Sequence, residues 1–388
     1  MSDSAAIQAR PLSRAVSIPV IPWYLWASIV GVTSAMVGVH WDISWHRSIG
    51  RDTFWTPPHI AIYLCGVIAG ISCAWLILAT TFGKLPKVRA SSVRMWGFYG
   101  PLGAFITAWG GVAMLISAPF DDWWHNAYGL DVKILSPPHT VLAAGIIAIE
   151  VGALMLVLGY MNRAPAEGRG LLNWLYLYLG SMILVVTQIL TMEHTGRVLQ
   201  HTATFYLVTA IAVPAALVGV SRGSVHPWAA TIVAALYSLF TASLIWILPL
   251  FPAQPKLGPV FNPVTQFTPP EFPLLLIVPA VALDLLRPKT HRWNPWLQAL
   301  ICGSVFAGLF LAAQWPFARF LTSSAAANGF FGTIYLDYAQ GPQSLEAKGI
   351  FLGKEPDFAK LLAIAFGCAI LTTRLGLAWG NWMRTVKR

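Results

Sequence analysis

Two stretches of this chain carry the same ionisable residues in the same order. Residues 40–59 read "HWDISWHRSIGRDTFWTPPH" and residues 120–139 read "FDDWWHNAYGLDVKILSPPH". Asp42, Trp45, His46, Gly50, Asp52 and Pro57-Pro58-His59 answer to Asp121, Trp124, His125, Gly129, Asp131 and Pro137-Pro138-His139, with one extra residue before the second proline pair. Asp42 and His46 are four apart, as are Asp121 and His125. On a continuous helix each pair therefore projects from one face and can grip one ion. A proline pair suits the first turn of a helix, where a missing N–H costs little, so His59 and His139 are expected in that first turn. Two imidazoles and one carboxylate leave positions open for water, oxygen or substrate, an arrangement that suits copper, iron or zinc. Asp52 and Asp131 are candidates to orient the ligating imidazoles, and Arg51 to balance their charge. Two other readings stand beside this one. A bis-histidine haem protein needs each pair along one helix, which Gly50, Arg51, Asp52 and Pro57-Pro58 interrupt; a purely structural polar network at the loop bases needs no ion.

The elements that must position these residues follow from composition. Of 388 residues, 56% are hydrophobic and 10% charged, with mean hydropathy +0.64, against about 25% charged in soluble domains. The expected class is all-α, a polytopic integral membrane bundle. About ten apolar stretches lie near 20–41, 57–82, 95–118, 137–161, 171–192, 203–221, 227–250, 271–286, 296–316 and 358–380, the eighth being short. With ten crossings, fifteen Lys and Arg fall on the side of the termini and eight on the other. Positive loops stay inside, so both termini are expected in the cytoplasm and both motifs at the periplasmic face of the plasma membrane. Trp23, Tyr24, Trp26, Trp55, Trp123, Trp124, Trp293 and Trp296 at the span ends are expected to anchor at the interface. The formal charge of +10 comes from dispersed loop residues, which a topology signal explains and a nucleic-acid-binding face does not. Residues 1–18 form an expected cytoplasmic tail without a removable signal; residues 19–162 a four-helix module with both hairpins; and residues 163–388 about six further spans, with long outside loops at 251–270 and 317–357. Loops of that length often act as lids or docking surfaces.

Other residues are weaker candidates. Cys65, Cys73, Cys302 and Cys368 lie in apolar runs without any CxxC and are expected to be packing residues. Glu193, His194, Arg197 and His201 fall in the outside loop between the fifth and sixth spans, where they would add a ligand or proton relay, or form an ordinary polar loop. Glu150 lies mid-span in the helix that His139 begins. An ionisable group at that depth is expensive and usually functional, so it is a candidate for a proton path or for support of the metal ligands. Asp284 beside Arg287 reads as a capping or paired charge.

The first motif, "DISWHRSIGRDTFWTPPH", resembles the metal-binding segment of the C subunit of particulate methane and ammonia monooxygenases, which reads Asp, three residues, His, then an "RDT.FTP.H" run. The second, "DDWWHNAYGLDVKILSPPH", is similar to that family's second site, in which Asn and His four apart precede a later His after a proline. The match includes the one-residue difference in spacing and covers about residues 20–160. The resemblance implies copper ligands Asp42, His46 and His59 at one site, the expected catalytic one, and Asp121, His125 and His139 at the other. Asp121 departs from the family's usual Asn and adds a negative charge. The six later spans match no subunit of the family, and its periplasmic cupredoxin-like domain is absent from the sequence.

The function so implied is a copper-dependent membrane monooxygenase, or a subunit of one, that hydroxylates a small apolar substrate with O₂. A membrane quinol would supply electrons, and further subunits would act as partners. The alternative is a non-catalytic copper-binding or copper-handling membrane component. A transporter is a third reading, against which no pair of broken mid-membrane helices stands out.

Overall fold

The computed structural model describes residues 21–50, 55–129, 136–256, 264–336 and 355–387. It is almost entirely helical. In chain order the elements are α1 (Trp23–Ser48), α2 (Pro57–Thr81), the single turn α3 (Pro86–Arg89), β1 (Val93–Met95), β2 (Phe98–Gly100), α4 (Leu102–Tyr128), α5 (Pro137–Arg163), α6 (Arg169–Thr195), α7 (Ala203–Gly223), α8 (Ala229–Ile247), α9 (Ile277–Thr290), α10 (Pro295–Leu321) and α11 (Phe358–Met383). Among the described residues eight helices are long and apolar enough to cross a membrane: α2, α4, α5, α6, α7, α8, α10 and α11. The chain is a multi-pass helical membrane protein. α1 is long enough at 26 residues, but the polar groups of its C-terminal half, among them His40, Asp42 and His46, make it less apolar than those eight.

Two expected spans take a different form. The third begins at Leu102 and not at 95, because Trp96 and Gly97 both adopt positive φ (47° and 88°). That conformation makes a tight hairpin of β1 and β2, and Pro101 then starts the helix. The gain is at the far end, where α4 runs on through Asp121 and His125 to Tyr128. In place of the eighth span lies a helix of only 14 residues, about 21 Å long against a hydrocarbon core of about 30 Å. Pro269, Pro270 and Pro273 hold the preceding chain extended, and its amides find partners in neighbouring helices: Leu274 N donates to the Tyr237 hydroxyl at 3.1 Å and Leu275 N to Gln314 Oε1 at 2.9 Å. Extended backbone at such depth needs partners of this kind.

α1, α2, α4 and α5 pack on one another, and the buried core continues from them without a break through α6 to α11. Small residues set the closest approach. A Cβ at Gly110 of α4 would lie 2.7 Å from Gly145 O and 2.9 Å from Ile149 N of α5, so only glycine lets these two backbones touch. Cys65, Cys73 and Cys302 are buried packing residues, and Cys368 is half-buried. Trp23, Trp26, Trp55, Trp123, Trp293 and Trp296 are exposed at helix ends, as interfacial anchors should be, and Trp124 is half-covered. Tyr24 is not an anchor: it is 5% exposed and hydrogen-bonds the Tyr160 hydroxyl of α5.

Asp284 is a cap, but for a neighbouring helix. Its carboxylate accepts from Ala230 N (3.2 Å), Thr231 N (2.8 Å) and Thr231 Oγ1 (2.8 Å) at the start of α8, while Arg287 donates to Ser224 O and His226 O. Loss of such a cap costs on the order of 1–2 kcal/mol. Asp284→Ala should therefore lower the melting temperature in detergent by a few degrees and leave the metal content unchanged.

Candidate metal centres

Each motif closes the mouth of a helical hairpin. In the first, α1 continues through Asp42 and His46 to Ser48, then Gly50 takes φ 106° and its N–H bonds back to Trp45 O at 3.2 Å. In the second, α4 continues through Asp121 and His125, and Gly129 at φ 84° bonds back to His125 O at 3.0 Å. A residue with positive φ ending a helix is ordinarily glycine, which explains the glycine that the repeat keeps. Pro57-Pro58 and Pro137-Pro138 open α2 and α5, and Ser136 Oγ accepts from His139 N at 3.4 Å. His59 and His139 thus sit in first turns, beside the helix ends that carry the other ligands.

The two mouths differ in how their histidines meet the aspartate. His59 Nε2 lies 3.3 Å from Asp42 Oδ1, and His46 Nε2 lies 3.7 Å from Asp42 Oδ2. At the second mouth His125 Nε2 and His139 Nε2 lie 3.4 and 3.5 Å from the same atom, Asp121 Oδ1. The three ligand atoms there are all within 4.8 Å of one another, and among the described residues no other triad, Asp42, His46 and His59 included, is drawn together so closely. Ligands about 2.0–2.1 Å from a tetrahedral ion are about 3.3–3.4 Å apart. The Asp–His separations at the second mouth and that of His59 from Asp42 are close to that edge, while His46 stands farther off.

A second observation makes the donor sets fit an ion. Asp42 Oδ1 and Asp121 Oδ1 are both buried, and neither has a hydrogen-bond partner among the described residues. The nearest imidazole nitrogens lie 3.3–3.5 Å from them. Burying a carboxylate oxygen without a partner is costly, and a shared cation between oxygen and nitrogen removes that cost. At the second mouth His125 Nδ1 donates to Gly129 O at 3.3 Å, which makes Nε2 the nitrogen that can coordinate. The repeat marked Gly129, but only the structure gives its carbonyl this role. Side-chain exposure runs from 20% at both aspartates to 46% at His46, so each site is open to small molecules from one side.

The other candidates fall elsewhere. Arg51, Asp52 and Asp131 lie outside the described residues. Glu150 is 1% exposed and neither carboxyl oxygen has a hydrogen-bond partner among the described residues, but eleven residues of helix put it about 16 Å from the level of His139. It touches neither centre. Glu193 and His194 are exposed at the end of α6. Arg197 pairs with Glu271 at 3.6 Å; burial raises the Glu271 carboxyl above its usual range, against the pull of Arg47 and Arg197. His201 is 1% exposed, donates from Nε2 to Trp315 O at 3.0 Å and packs edge-on against that indole. Burial and the nearby Arg319 hold it below the usual imidazole range. These four residues belong to the wall formed by α6, α7 and α10, not to the metal-type mouths.

No protein-family model matches this chain, and no curated protein or solved structure is significantly similar to it.

Proposed function

We propose that the chain is a copper-dependent, monooxygenase-type membrane protein, or the metal-bearing subunit of one, acting on a small apolar substrate at the outer face of the plasma membrane. In this reading the chain crosses the bilayer ten times, α1 and α9 included, with both termini in the cytoplasm. The observation that carries it is the second mouth, where histidine Nε2 atoms from two helices converge on one buried aspartate oxygen that has no hydrogen-bond partner among the described residues, with His59 brought to Asp42 Oδ1 in the same way at the first. Asp42, His46 and His59 would hold one ion, and Asp121, His125 and His139 the other. A His₂Asp set with open positions suits copper, and also zinc or iron; bound copper supplies the redox chemistry that activates O₂.

The chain's own part is to orient and to exclude water. Ligands anchored on helix ends keep their positions without a flexible loop between them. Trp45, packed on Phe267, and the cluster of Phe120, Trp123, Trp124 and Tyr128 place apolar rings beside the two mouths. Such rings admit an apolar substrate and lower the local dielectric. Overall, one oxygen atom enters the substrate and the other leaves as water, with two electrons and two protons drawn from a membrane quinol.

Metal analysis of purified protein tests the centres one at a time. The parent should retain two ions per chain; His46→Ala and His125→Ala should each lose one and keep the other. Unchanged metal content in both variants would discard the ligand assignment. Turnover of a small hydrocarbon with quinol and O₂ separates catalysis from mere binding, because retained copper without turnover, with any added partner subunit, assigns the chain to copper handling instead.

A further inference from the structure

Arg374 is a cation inside a membrane span, and nothing among the described residues pairs with it. It is half-buried on α11, its Nε is buried without a hydrogen-bond partner, and the guanidinium makes no ion pair there. Its close companion is the Trp296 ring of α10, whose centroid lies 5.4 Å from Cζ. The arginines at the nearby helix ends are satisfied: Arg163 donates to Lys387 O, Arg222 to Asn381 Oδ1, Arg384 to Arg222 O, and Arg287 to Ser224 O and His226 O. A charge within a membrane helix is expensive, and as a rule it is paired or serves a function.

Depth narrows what can pair with it. Arg374 precedes Met383, the last residue of α11, by nine positions, so its backbone lies about 14 Å in from that helix end, within a hydrocarbon core of about 30 Å. The side chain does not stay there. Gly303 of α10 packs on Ile370, and Arg374 on Trp296, so the two helices run antiparallel and Arg374 faces α10 about one turn from its start. Trp296 is the second residue of α10 and is 57% exposed. The guanidinium, drawn to that ring, reaches from an apolar depth towards the interface on its aliphatic stem, and an exposed tryptophan at a helix start marks the level of the headgroups. This is the end of the bundle away from the metal-type mouths. α5 runs away from His139, and Asn162 near its far end donates to Met383 O and Val386 O at 2.9 and 2.7 Å.

We propose that the seam between α10 and α11 binds one anionic phospholipid, its phosphate held by Arg374 beside the Trp296 ring and its acyl chains lying along Leu297, Leu300, Leu371 and Leu375. All four leucines are exposed, and an apolar surface of this kind on a membrane helix meets lipid chains. The guanidinium supplies a planar fork of N–H donors that matches phosphate oxygens. The start of the 27-residue α10 adds the positive end of a helix dipole, and Lys289 and Arg292 just before it are exposed. A zwitterionic lipid carries the same phosphate under a cationic head, which these charges repel, so the site selects the anionic class. A carboxylate on a partner helix would meet Arg374 at the depth of its backbone, whereas the guanidinium lies at the headgroup level. The proposal does not depend on the oxygenase reading.

Native mass spectrometry of the full chain, stripped of lipid by detergent exchange, tests the site by titration. Dioleoyl phosphatidylglycerol should load one molecule per chain about ten-fold or more tightly than phosphatidylcholine with the same chains, and Arg374→Gln should abolish that preference. Glycerol phosphate, the anion without the chains, should bind far more weakly than the lipid. A phosphatidylglycerol with a diazirine beside its headgroup places the site without any variant, and should label the parent on the α10 and α11 peptides that hold Trp296 and Arg374. If Arg374→Gln does not fold, that labelling and the parent's lipid preference carry the test. Equal affinity for the two lipids in the parent, a preference in folded Arg374→Gln within about two-fold of the parent's, or labelling confined to other helices overturns the proposal. Glycerol phosphate binding as tightly as the lipid also overturns it, in favour of a soluble anion. So does a second polypeptide that co-purifies one per chain with the parent and is lost with Arg374→Gln, which would give the arginine a protein partner.

Discussion

Asp121→Ala should strip the second centre of its ion, with metal affinity there falling by at least about 100-fold, more than the loss usual for residues that only support a ligand. The reason is that one atom does the joining. His125 on α4 and His139 on α5 both approach Asp121 Oδ1, at 3.4 and 3.5 Å, and without it two neutral imidazoles on separate helices remain. Asp121→Asn keeps an oxygen in place and loses only the charge, so its effect should be smaller, about ten-fold. Metal titration of the two variants, with the first centre as internal reference, reads both outcomes. The apo-protein supplies the control. Removing a buried oxygen that has no partner does not cost stability, so metal-free Asp121→Ala should melt no lower than the metal-free parent. A lower melting temperature would show that the carboxylate is part of a structural network and not a ligand.

Gly110→Val should damage the same centre from a distance. Its side chain would meet Gly145 O and Ile149 N of α5, which are backbone atoms and cannot swing aside. Overpacking of this kind costs about 1–3 kcal/mol, and the helices relieve it by moving apart. Asp121 and His125 ride on α4 and His139 on α5, so separation of the two helices opens the triangle of ligands. The expected result is loss of metal from the second centre, retention at the first on α1 and α2, and a lower melting temperature. Gly367→Ala is the matched control, because nothing lies within 4 Å of its added Cβ. That change should raise stability by about 0.5–1 kcal/mol.

Much of this was legible in the sequence because it depends on near neighbours in the chain. Apolar runs of about twenty residues define spans irrespective of what packs against them, and a four-residue spacing puts Asp and His on one helical face wherever that helix lies. The proline pairs announced the starts of α2 and α5. The short α9 was visible as a short apolar run, but not the reason it is tolerated, which lies in Tyr237 and Gln314 on helices distant in sequence. The expected start of the third span erred by several residues because apolar residues of a β-hairpin read the same as those of a helix when only composition is weighed.

The sequence by itself determined that this chain is a multi-pass helical membrane protein and that two copies of one Asp–His–His pattern stand at hairpin mouths. Tertiary structure alone decided that the later histidine of each copy comes within 3.3–3.5 Å of the aspartate, that Glu150 stands apart from both, and that Glu271 meets Arg197. The division has a physical cause. Helix formation and membrane partition are fixed by interactions over a few residues, whereas the distance between groups on different helices is fixed by close packing of backbones, where a single Cβ more at Gly110 would change it.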